Sequence, residues 1–372
     1  MQSGEKGGAP GEATAVLHVF PSFSYGGQQA RLAALVRAMG REFRHHIVAL
    51  DGDLAARSLF SDGAPASFEG VRLRKTSGLS PPNILRLRRL IRDARADLLC
   101  TYNWGSIEAA LANRLGPRLP HIHFEDGFGP DELDMRKAKK RARARGFLLG
   151  GATIVVPSHA LESTARFQWK LGEVRRIENG VDFERLQGGA RGHRDAVIVG
   201  SVGALRPEKN YARLIAAFLA ADRDRRARLE LVGDGPERVW LVEASRGDER
   251  ISLPGATAAP ADAYAHFDIF ALSSDTEQAP LSVMEAMAAG LPVIATNVGE
   301  IADMVSEENR PYVTALGDDE AYAHALAQLL QNPTARADIG AANRRKAREA
   351  FSFVPTAAAH RDLYLSMARR HG

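Results

Sequence analysis

Residues 277–300 read EQAPLSVMEAMAAGLPVIATNVGE, and this stretch indicates the fold class. Its pattern predicts a loop that ends at Pro280, a helix from Leu281 to about Ala289, and Gly290 as the glycine that follows a helix. The apolar run LPVIAT comes next and predicts a strand that is buried on both faces. A helix followed by such a strand is typical of a parallel β-sheet with helices packed against it.

The same alternation of short apolar runs and amphipathic stretches extends along the chain. In the first half the predicted strands are 15–20, 46–50, 98–102, 121–124 and 154–157. In the second half they are AVIVGSVG (196–203), RLELVG (228–233), ISLPG (251–255), DIFAL (268–272) and PVIAT (292–296). The pattern predicts an α/β protein with two Rossmann-like, doubly wound lobes that face a cleft. No GxGxxG follows a strand, which argues against a NAD-dependent dehydrogenase.

The chain divides into four predicted segments. Residues 1–13 are glycine-rich and polar and are expected to be a disordered leader, and residues 14–188 are expected to form the first lobe. Residues 189–355 are expected to form the second lobe, and 356–372 a C-terminal helix that packs back on the first. The boundary between the lobes is placed in the polar, glycine-rich sequence QGGARGHRD.

The composition excludes several classes of protein. The chain has 372 residues, of which 45% are hydrophobic and 25% charged, so wholesale disorder is excluded. Its single cysteine, Cys100, excludes a disulfide framework and a thiolate metal site. No apolar stretch is long enough to span a bilayer, and none precedes a cleavage site at the N-terminus, so a cytoplasmic location is expected.

Charge is distributed unevenly along the chain. Residues 1–190 carry 28 basic and 20 acidic side chains, whereas 191–372 carry 21 and 25. The densest basic stretch is RKAKKRARAR at 136–145, with seven basic residues in ten. It is interpreted as a solvated or acceptor-binding helix, as a peripheral contact with an anionic membrane, or as a nucleic-acid site. Nucleic acid is the least favoured of the three and is not predicted as a partner, because no aromatic residues are interleaved for base stacking.

Four motifs in the second half resemble those of the family 4 retaining glycosyltransferases, which have the GT-B fold. The first is the pair Glu277 and Glu285 with the run EAMAAGLPVIAT and Gly299 in the turn after it. The others are GALRPEKN (203–210), VGDGPE (232–237) and, between the lobes, NGVD (179–182). Their order and spacing match the family pattern over nearly all of the second lobe, while the first lobe resembles the family more loosely.

The resemblance implies a nucleotide-diphospho-sugar donor of the UDP or GDP type, bound as a substrate, with no cofactor. Breaking its glycosidic bond leaves negative charge on the diphosphate, which fixed cations must meet, and Arg206 and Lys209 are implied in that role. Glu285 is implied to accept hydrogen bonds from the ribose, and Glu277 from the transferred sugar. The other implied donor contacts are Gly26, Gly27, Gly203, Gly255, Pro280, Leu281 and Ser282.

The first lobe is expected to bind the acceptor. His123 matches the family histidine that lies near the transferred sugar, and it is counted with Arg206, Lys209 and Glu277 as a catalytic residue. His121 is expected to face the other side of the strand. The residues predicted to bind the acceptor are Asn103, Trp104, Glu125 and Asp126.

The predicted reaction transfers a sugar to a hydroxyl acceptor with retention of configuration, the acceptor being a glycan or a lipid-linked intermediate of surface polysaccharide synthesis. Two alternatives remain open: a nucleotide-sugar 2-epimerase of the same fold, and a non-catalytic nucleotide-sugar-binding subunit. No His, Asp and Glu cluster has metal-ligand spacing, so no metal is predicted. The sequence departs from the family between its two glutamates, where Gln278, Ala279 and Pro280 stand in place of glycine or an aromatic residue.

Overall fold

The computed structural model describes residues 13–74, 78–127, 135–186, 196–257 and 259–369. Within these residues, the first lobe is a sheet of seven parallel strands in the order β3-β2-β1-β4-β5-β6-β7. The strands are β1 Thr14–Phe20, β2 Phe43–Ala49, β3 Ala66–Gly70, β4 Leu98–Tyr102, β5 His121–Phe124, β6 Thr153–Val156 and β7 Val174–Arg176. Its helices are α1 Gly27–Met39, α2 Pro81–Asp93, α3 Ile107–Arg114, α4 Met135–Leu148 and α5 His159–Ser163.

The second lobe repeats this architecture, with six parallel strands among its described residues in the order β10-β9-β8-β11-β12-β13. The strands are β8 Val197–Val202, β9 Ala227–Val232, β10 Ile251–Gly255, β11 Ile269–Leu272, β12 Val293–Thr296 and β13 Val313–Thr314. The helices are α6 Tyr211–Ala221, α7 Arg238–Ala244, α8 Pro260–His266, α9 Leu281–Ala288, α10 Ile301–Met304, α11 Asp319–Gln331, α12 Pro333–Ala350 and α13 Phe353–Ala368.

The strands that the sequence failed to predict lie at sheet edges. β3, β7 and β13 each have a strand neighbour on one side only, and β3 is largely exposed or half-buried. Edge strands need not be continuously apolar, so the pattern that identifies central strands misses them. The sequence pattern predicts the start of β2 too late, at 46, whereas the strand begins at Phe43. Its first half carries Arg44 and His45 instead of an apolar run, so the pattern misses it.

The chain connects the two lobes at two adjacent places. The N–H of Val181 donates to the carbonyl of Phe351 at 2.9 Å, so the NGVD segment runs beside the start of α13. Gly180 is required there, because a Cβ would lie 2.7 Å from the carbonyl oxygen of Ser352. α13 begins at Phe353, three residues before the predicted 356, and the predicted boundary near 188 lies outside the described residues.

The C-terminal helix packs on the first lobe, as predicted. Tyr364 and Met367 of α13 belong to the same buried cluster as Phe43 and Tyr102. At the surface, Arg361 forms a two-pronged ion pair with Glu42, at 2.6 and 2.8 Å. The second lobe is therefore attached to the first by a packed helix as well as by the NGVD segment.

Each sheet reverses its strand order at one point, between β1 and β4 in the first lobe and between β8 and β11 in the second. Loops that leave a parallel sheet at such a point diverge and open a crevice at the carboxyl ends of the strands. The crevices of the two lobes face each other, and the predicted architecture is confirmed. In the part of the chain that the structure describes, no helix is long and apolar enough to cross a bilayer.

Candidate functional site

A cleft of about 500 Å³ lies between the lobes. The first lobe lines it with the loops that follow β1, β4 and β5, and the second lobe with those that follow β8, β9, β10 and β11. The first turns of α1 and α9 meet across it, since a Cβ on Gly27 would lie 3.4 Å from the Leu281 side chain. The first N–H groups of a helix have no intrahelical partner, so both turns present donors suited to an anion.

The predicted cations lie on the second-lobe wall. Arg206 is exposed on the loop after β8, and among the described residues its guanidinium has no hydrogen-bond partner. Lys209 pairs with Glu277, which lies 68 residues further along the chain. The hydroxyl of Ser274 also donates to Glu277, at 2.7 Å. The fold thus joins two of the predicted residues and leaves a third, Arg206, available to a ligand.

The glycines of VGDGPE support the loop that carries these cations. Gly233 has φ +158°, and a Cβ there would overlap the carbonyl oxygen of Gly203. The backbones are further joined by a hydrogen bond of 2.9 Å from the N–H of Leu205 to the carbonyl of Asp234. Glycine at position 233 therefore lets the backbone of this motif pack directly against the backbone of the loop that carries Arg206 and Lys209.

Residues 277–280, called the donor loop after the role expected of Glu277 from the sequence, are supported from behind by the turn after β12. Gly299 has φ +60°, and a Cβ on it would lie 2.5 Å from the carbonyl oxygen of Gln278. The N–H of Glu300 donates to that same carbonyl at 2.9 Å. The glycine that the sequence motif contains is therefore needed to hold the donor loop against the cleft.

Glu285 lies on the same wall, inside α9. The hydroxyl of Tyr264 donates to its carboxylate at 2.7 Å, and burial raises the pKa of Glu285 to about 7. Pro280, Leu281 and Ser282, which are expected from the sequence to contact a donor, line the cleft beside it. Gly203 also lines it, whereas Gly255 does not, because the carbonyl of Gly255 accepts the N–H of Gly233 at 2.9 Å and the next two residues face the cleft instead.

Glu285→Gln is expected to stabilise the protein at pH 8 and to change little at pH 5. The folded state raises the pKa of Glu285, so ionising it costs stability as the pH rises from about 4.5 to about 7. At about 1.4 kcal/mol per pKa unit, removing a partly buried charge should gain on the order of 2 kcal/mol above that window. Urea unfolding at the two pH values measures this, with Glu243→Gln on an exposed face of α7 as the control. Equal stability of variant and wild type at pH 8 would contradict it.

The first-lobe wall differs from the prediction because its two carboxylates, Glu125 and Asp126, are already paired with arginines. Glu125 is fully buried, and Arg145 holds both of its oxygens, at 2.9 and 3.3 Å. Burial would raise the pKa of Glu125, but Arg145 and the hydrogen bond from His123 outweigh it and lower that pKa. The carboxylate predicted to bind acceptor hydroxyls is therefore held by a buried ion pair.

Asp126 is held in a similar way. Its carboxylate accepts two hydrogen bonds from Arg31, one of them at 2.8 Å, and another from Gln28. Burial would raise the pKa of Asp126, but Arg31, with the hydrogen bond from Gln28 and the nearby His360, outweighs burial and lowers that pKa. Asp126 reaches the cleft wall, yet its hydrogen-bonding capacity is largely used within the protein.

His123 lies behind that wall. Its side chain has no exposed surface and is absent from the cleft lining, so its position does not support direct contact with a sugar. Thr101 Oγ1 lies 2.8 Å from His123 Nδ1 and 2.7 Å from His121 Nε2. The expectation that the two histidines face opposite sides of the strand is wrong, because residues two apart in a strand share a face.

Asn103 and Trp104 line the cleft, as predicted. Asn103 Oδ1 accepts the N–H of Asp126 at 2.9 Å, which orients that residue's backbone. The ring of Trp104 lies 5.2 Å from the guanidinium of Arg141 and 5.2 Å from that of Arg145, both on α4. The basic stretch 136–145 lies in α4 and is helical. Its C-terminal half reaches the cleft, because Arg141 and Arg145 are among the lining residues.

Sequence reasoning did not identify Arg31, Arg145 or Asn179 as individual parts of the site. Arg31 lies one helical turn after Gly27, so its position on the cleft side of α1 follows from helical spacing. Arg145 stood within the basic stretch, and Asn179 within NGVD, without an assigned contact. Among the described residues, no group of three or more His, Cys, Asp or Glu side chains is arranged to hold a metal ion.

Two Rossmann-like lobes with a cationic, carboxylate-bearing cleft between them define a protein of the GT-B class. Family models agree: residues 25–185 match Glycosyltransferase Family 4, and 196–332 match Glycosyl transferases group 1. The chain belongs to the glycosyltransferase family that these two models describe.

Two curated relatives illustrate the similarity. The chain is 27% identical over 171 residues to N-acetyl-alpha-D-glucosaminyl L-malate synthase of Bacillus anthracis, covering 45% of each chain. It is 36% identical over 169 residues to a GDP-mannose-dependent alpha-mannosyltransferase of Mycolicibacterium smegmatis, covering 41% of each. The chain spans about half the length of the curated relatives it matches.

Solved structures match over almost the whole chain. The Anabaena HepE structure in complex with UDP and glucose superposes with a TM-score of 0.78 at 19% identity, over 95% of this chain and 100% of that one. A sucrose-phosphate synthase from Thermosynechococcus elongatus gives a TM-score of 0.76 at 19% identity, over 95% and 99%. At this identity the likeness establishes the fold.

Proposed function

We propose that this protein transfers a glycosyl group from a nucleotide-diphospho-sugar to a hydroxyl acceptor, with retention of configuration. The observation that carries the proposal is the second-lobe wall of the cleft. There Arg206, whose guanidinium has no partner in the described ranges, lies near the Lys209–Glu277 pair, and the first turn of α9 faces the same space. Cations and helix N–H groups directed into one crevice suit a diphosphate, and the neighbouring carboxylates suit sugar hydroxyls.

The roles of the donor residues follow from the charge that the reaction develops. When the bond from the sugar C1 to the diphosphate breaks, negative charge grows on the leaving oxygen, and Arg206 and Lys209 stabilise it. Glu277, oriented by Lys209 and Ser274, accepts hydrogen bonds from the transferred sugar. Glu285 accepts them from the ribose.

The family resemblance implies retention, and the first-lobe wall as described offers no free carboxylate to form a covalent glycosyl intermediate by double displacement. Glu125 and Asp126 are held by arginines, and a carboxylate held by two hydrogen bonds is a poor nucleophile. The proposed reaction therefore occurs on one face of the sugar. The acceptor oxygen bonds to C1 on the side that the diphosphate leaves, and the acceptor proton passes to a diphosphate oxygen. Closure of the lobes excludes water and limits hydrolysis.

A donor screen tests the proposal. UDP-, GDP- and ADP-sugars are incubated with glycan and lipid-linked acceptors, and the released nucleoside diphosphate and the anomeric configuration of the product are measured. Acceptor-dependent release with a retained anomer supports the proposal. An epimerised donor formed without acceptor would instead indicate a 2-epimerase, and nucleotide-sugar binding without turnover would indicate a binding subunit.

The proposed acceptor is a glycan or lipid-linked intermediate of surface polysaccharide synthesis, presented at an anionic membrane on the cytoplasmic side. α4 supports this, because Lys139, Lys140 and Arg143 are exposed on it while Arg141 lines the cleft. Phe147, at the end of the same helix, is 66% exposed. Basic side chains beside an exposed aromatic ring suit the surface of a bilayer that contains anionic lipid.

Reversing the charges of Lys139, Lys140 and Arg143 to glutamate is expected to weaken binding to phosphatidylglycerol vesicles at least tenfold. Each basic side chain near such a surface contributes about 1 kcal/mol. Vesicle flotation measures the binding, and vesicles of phosphatidylcholine alone give the background. A matched control reverses three exposed arginines of the second lobe, Arg223, Arg226 and Arg228. Equal flotation of the two triple variants would reject the membrane contact.

A further inference from the structure

The donor loop is bonded to the first lobe through two side chains. Ser158, which follows β6, donates from its hydroxyl to Gln278 Oε1 at 3.2 Å. Asn179, in the NGVD segment, donates from Nδ2 to the carbonyl of Ala279 at 3.1 Å. Gln278 is one of the residues at which the sequence departs from its family, and the departure provides the side chain that crosses between the lobes.

The other end of the Asn179 side chain reaches the acceptor wall. Asn179 Oδ1 accepts a hydrogen bond of 2.8 Å from Arg31, and Arg31 in turn holds both oxygens of Asp126. Asn179 and Arg31 are only 5% and 7% exposed. A continuous series of buried polar contacts therefore runs from Asp126 on the acceptor wall to the backbone of the donor loop.

A third contact supports the same loop. The carboxylate of Glu300 accepts the N–H of His159, at the start of α5, at 2.8 Å. The backbone N–H of Glu300 donates to the carbonyl of Gln278 at 2.9 Å. The second lobe therefore holds residue 278 through Glu300, and the first lobe adds bonds to residues 278 and 279 that the second lobe alone cannot supply.

We propose that Asn179 and Gln278 are positioning residues that fix the donor loop relative to the acceptor wall when the lobes are closed. This inference rests on the proposed function. Transfer between two bound substrates needs the reacting atoms aligned within a fraction of an ångström, so a loop displaced by about 1 Å can cost 10²-fold in rate. A buried amide N–H that loses its acceptor is costly, so the Asn179–Ala279 bond favours the closed arrangement.

Asn179→Asp tests the inference with a change of one group. The new carboxylate still accepts the hydrogen bond from Arg31, but it places an oxygen against the Ala279 carbonyl in place of the N–H. Affinity for UDP and GDP, measured by calorimetry, is expected to stay within about twofold of wild type, because most of the proposed nucleotide contacts lie on the second lobe and Asn179 makes none of them. The kcat for transfer is expected to fall at least tenfold, and hydrolysis of the donor to rise relative to transfer. Gln278→Ala is expected to act in the same direction.

Small-angle scattering gives a readout that does not need turnover: with nucleoside diphosphate bound, Asn179→Asp is expected to have a larger radius of gyration than wild type. The matched control is Asn332→Asp, in which the new carboxylate still accepts the hydrogen bond from the N–H of Ala335. Wild-type kcat and compactness in Asn179→Asp would overturn the inference, as would a parallel loss of nucleotide binding, which indicates a structural role. If wild type itself transfers no sugar, the proposed function fails, and scattering alone then decides whether Asn179 favours the closed arrangement of the lobes.

Discussion

Replacing Arg206 with alanine is expected to lower kcat for glycosyl transfer by 10²- to 10³-fold and to leave thermal stability unchanged. The guanidinium is exposed and has no hydrogen-bond partner among the described residues, so the folded protein loses no contact with it. It lines the cleft where the diphosphate would carry its developing charge, and removal of one such preorganised group costs about 3–4 kcal/mol of transition-state stabilisation. Steady-state release of nucleoside diphosphate and a thermal melt measure the two effects.

Arg223→Ala is the matched control, because Arg223 is an exposed arginine outside the cleft lining. Lys209→Ala provides a comparison of another kind. It removes a cation proposed to meet the diphosphate and also leaves Glu277 without its ion pair, so it should weaken binding of the donor as well as lower kcat. A wild-type rate in Arg206→Ala would exclude the proposed donor site.

Arg145→Met is expected to give the largest loss of stability, about 3–5 kcal/mol at pH 7.5. Arg145 and Glu125 are 1% and 0% exposed, and removing one partner of a buried pair leaves an uncompensated buried charge. Trp104 and Trp169 lie 5.2 and 4.6 Å from the guanidinium, so tryptophan fluorescence during urea unfolding reports on this region directly. Arg143→Met, on the exposed face of the same helix, should change stability little.

The pH dependence of the loss identifies its cause. In wild type the pKa of Glu125 is lowered, so the pair contributes stability above the usual carboxyl pKa and loses it as the pH falls through the lowered value. Without Arg145, burial raises that pKa instead, so the deficit of Arg145→Met should be largest at neutral pH and should shrink towards pH 5. Adding Glu125→Gln should recover part of the deficit at pH 7.5. If the double variant is less stable than Arg145→Met, the buried-charge explanation is wrong.

The second-lobe wall of the cleft could be predicted because its residues belong to short, local motifs. Gly203 to Asn210 and Glu277 to Glu285 each form one loop and one helix start, and the carboxyl ends of parallel strands bring such loops together. The acceptor half could not be predicted in the same way. Whether Glu125 and Asp126 were available depended on Arg145 and Arg31, which lie 20 and 95 residues away along the chain.

The sequence by itself indicated the central strands of the two parallel sheets, the supporting glycines and the loops of the second-lobe cleft wall, because burial on both faces of a strand and the turn into a helix leave a local pattern. Only the tertiary structure decided which polar groups remain free. Among the described residues the Arg206 guanidinium has no partner, Glu125 is paired with Arg145, His123 lies behind the wall, and Asn179 joins the lobes. A carboxylate or amide in a sequence does not reveal its partner, since charges far apart in the chain pair wherever folding buries them together. The partners that folding supplies therefore decide which polar groups of this cleft are available to a ligand and which hold the cleft in shape.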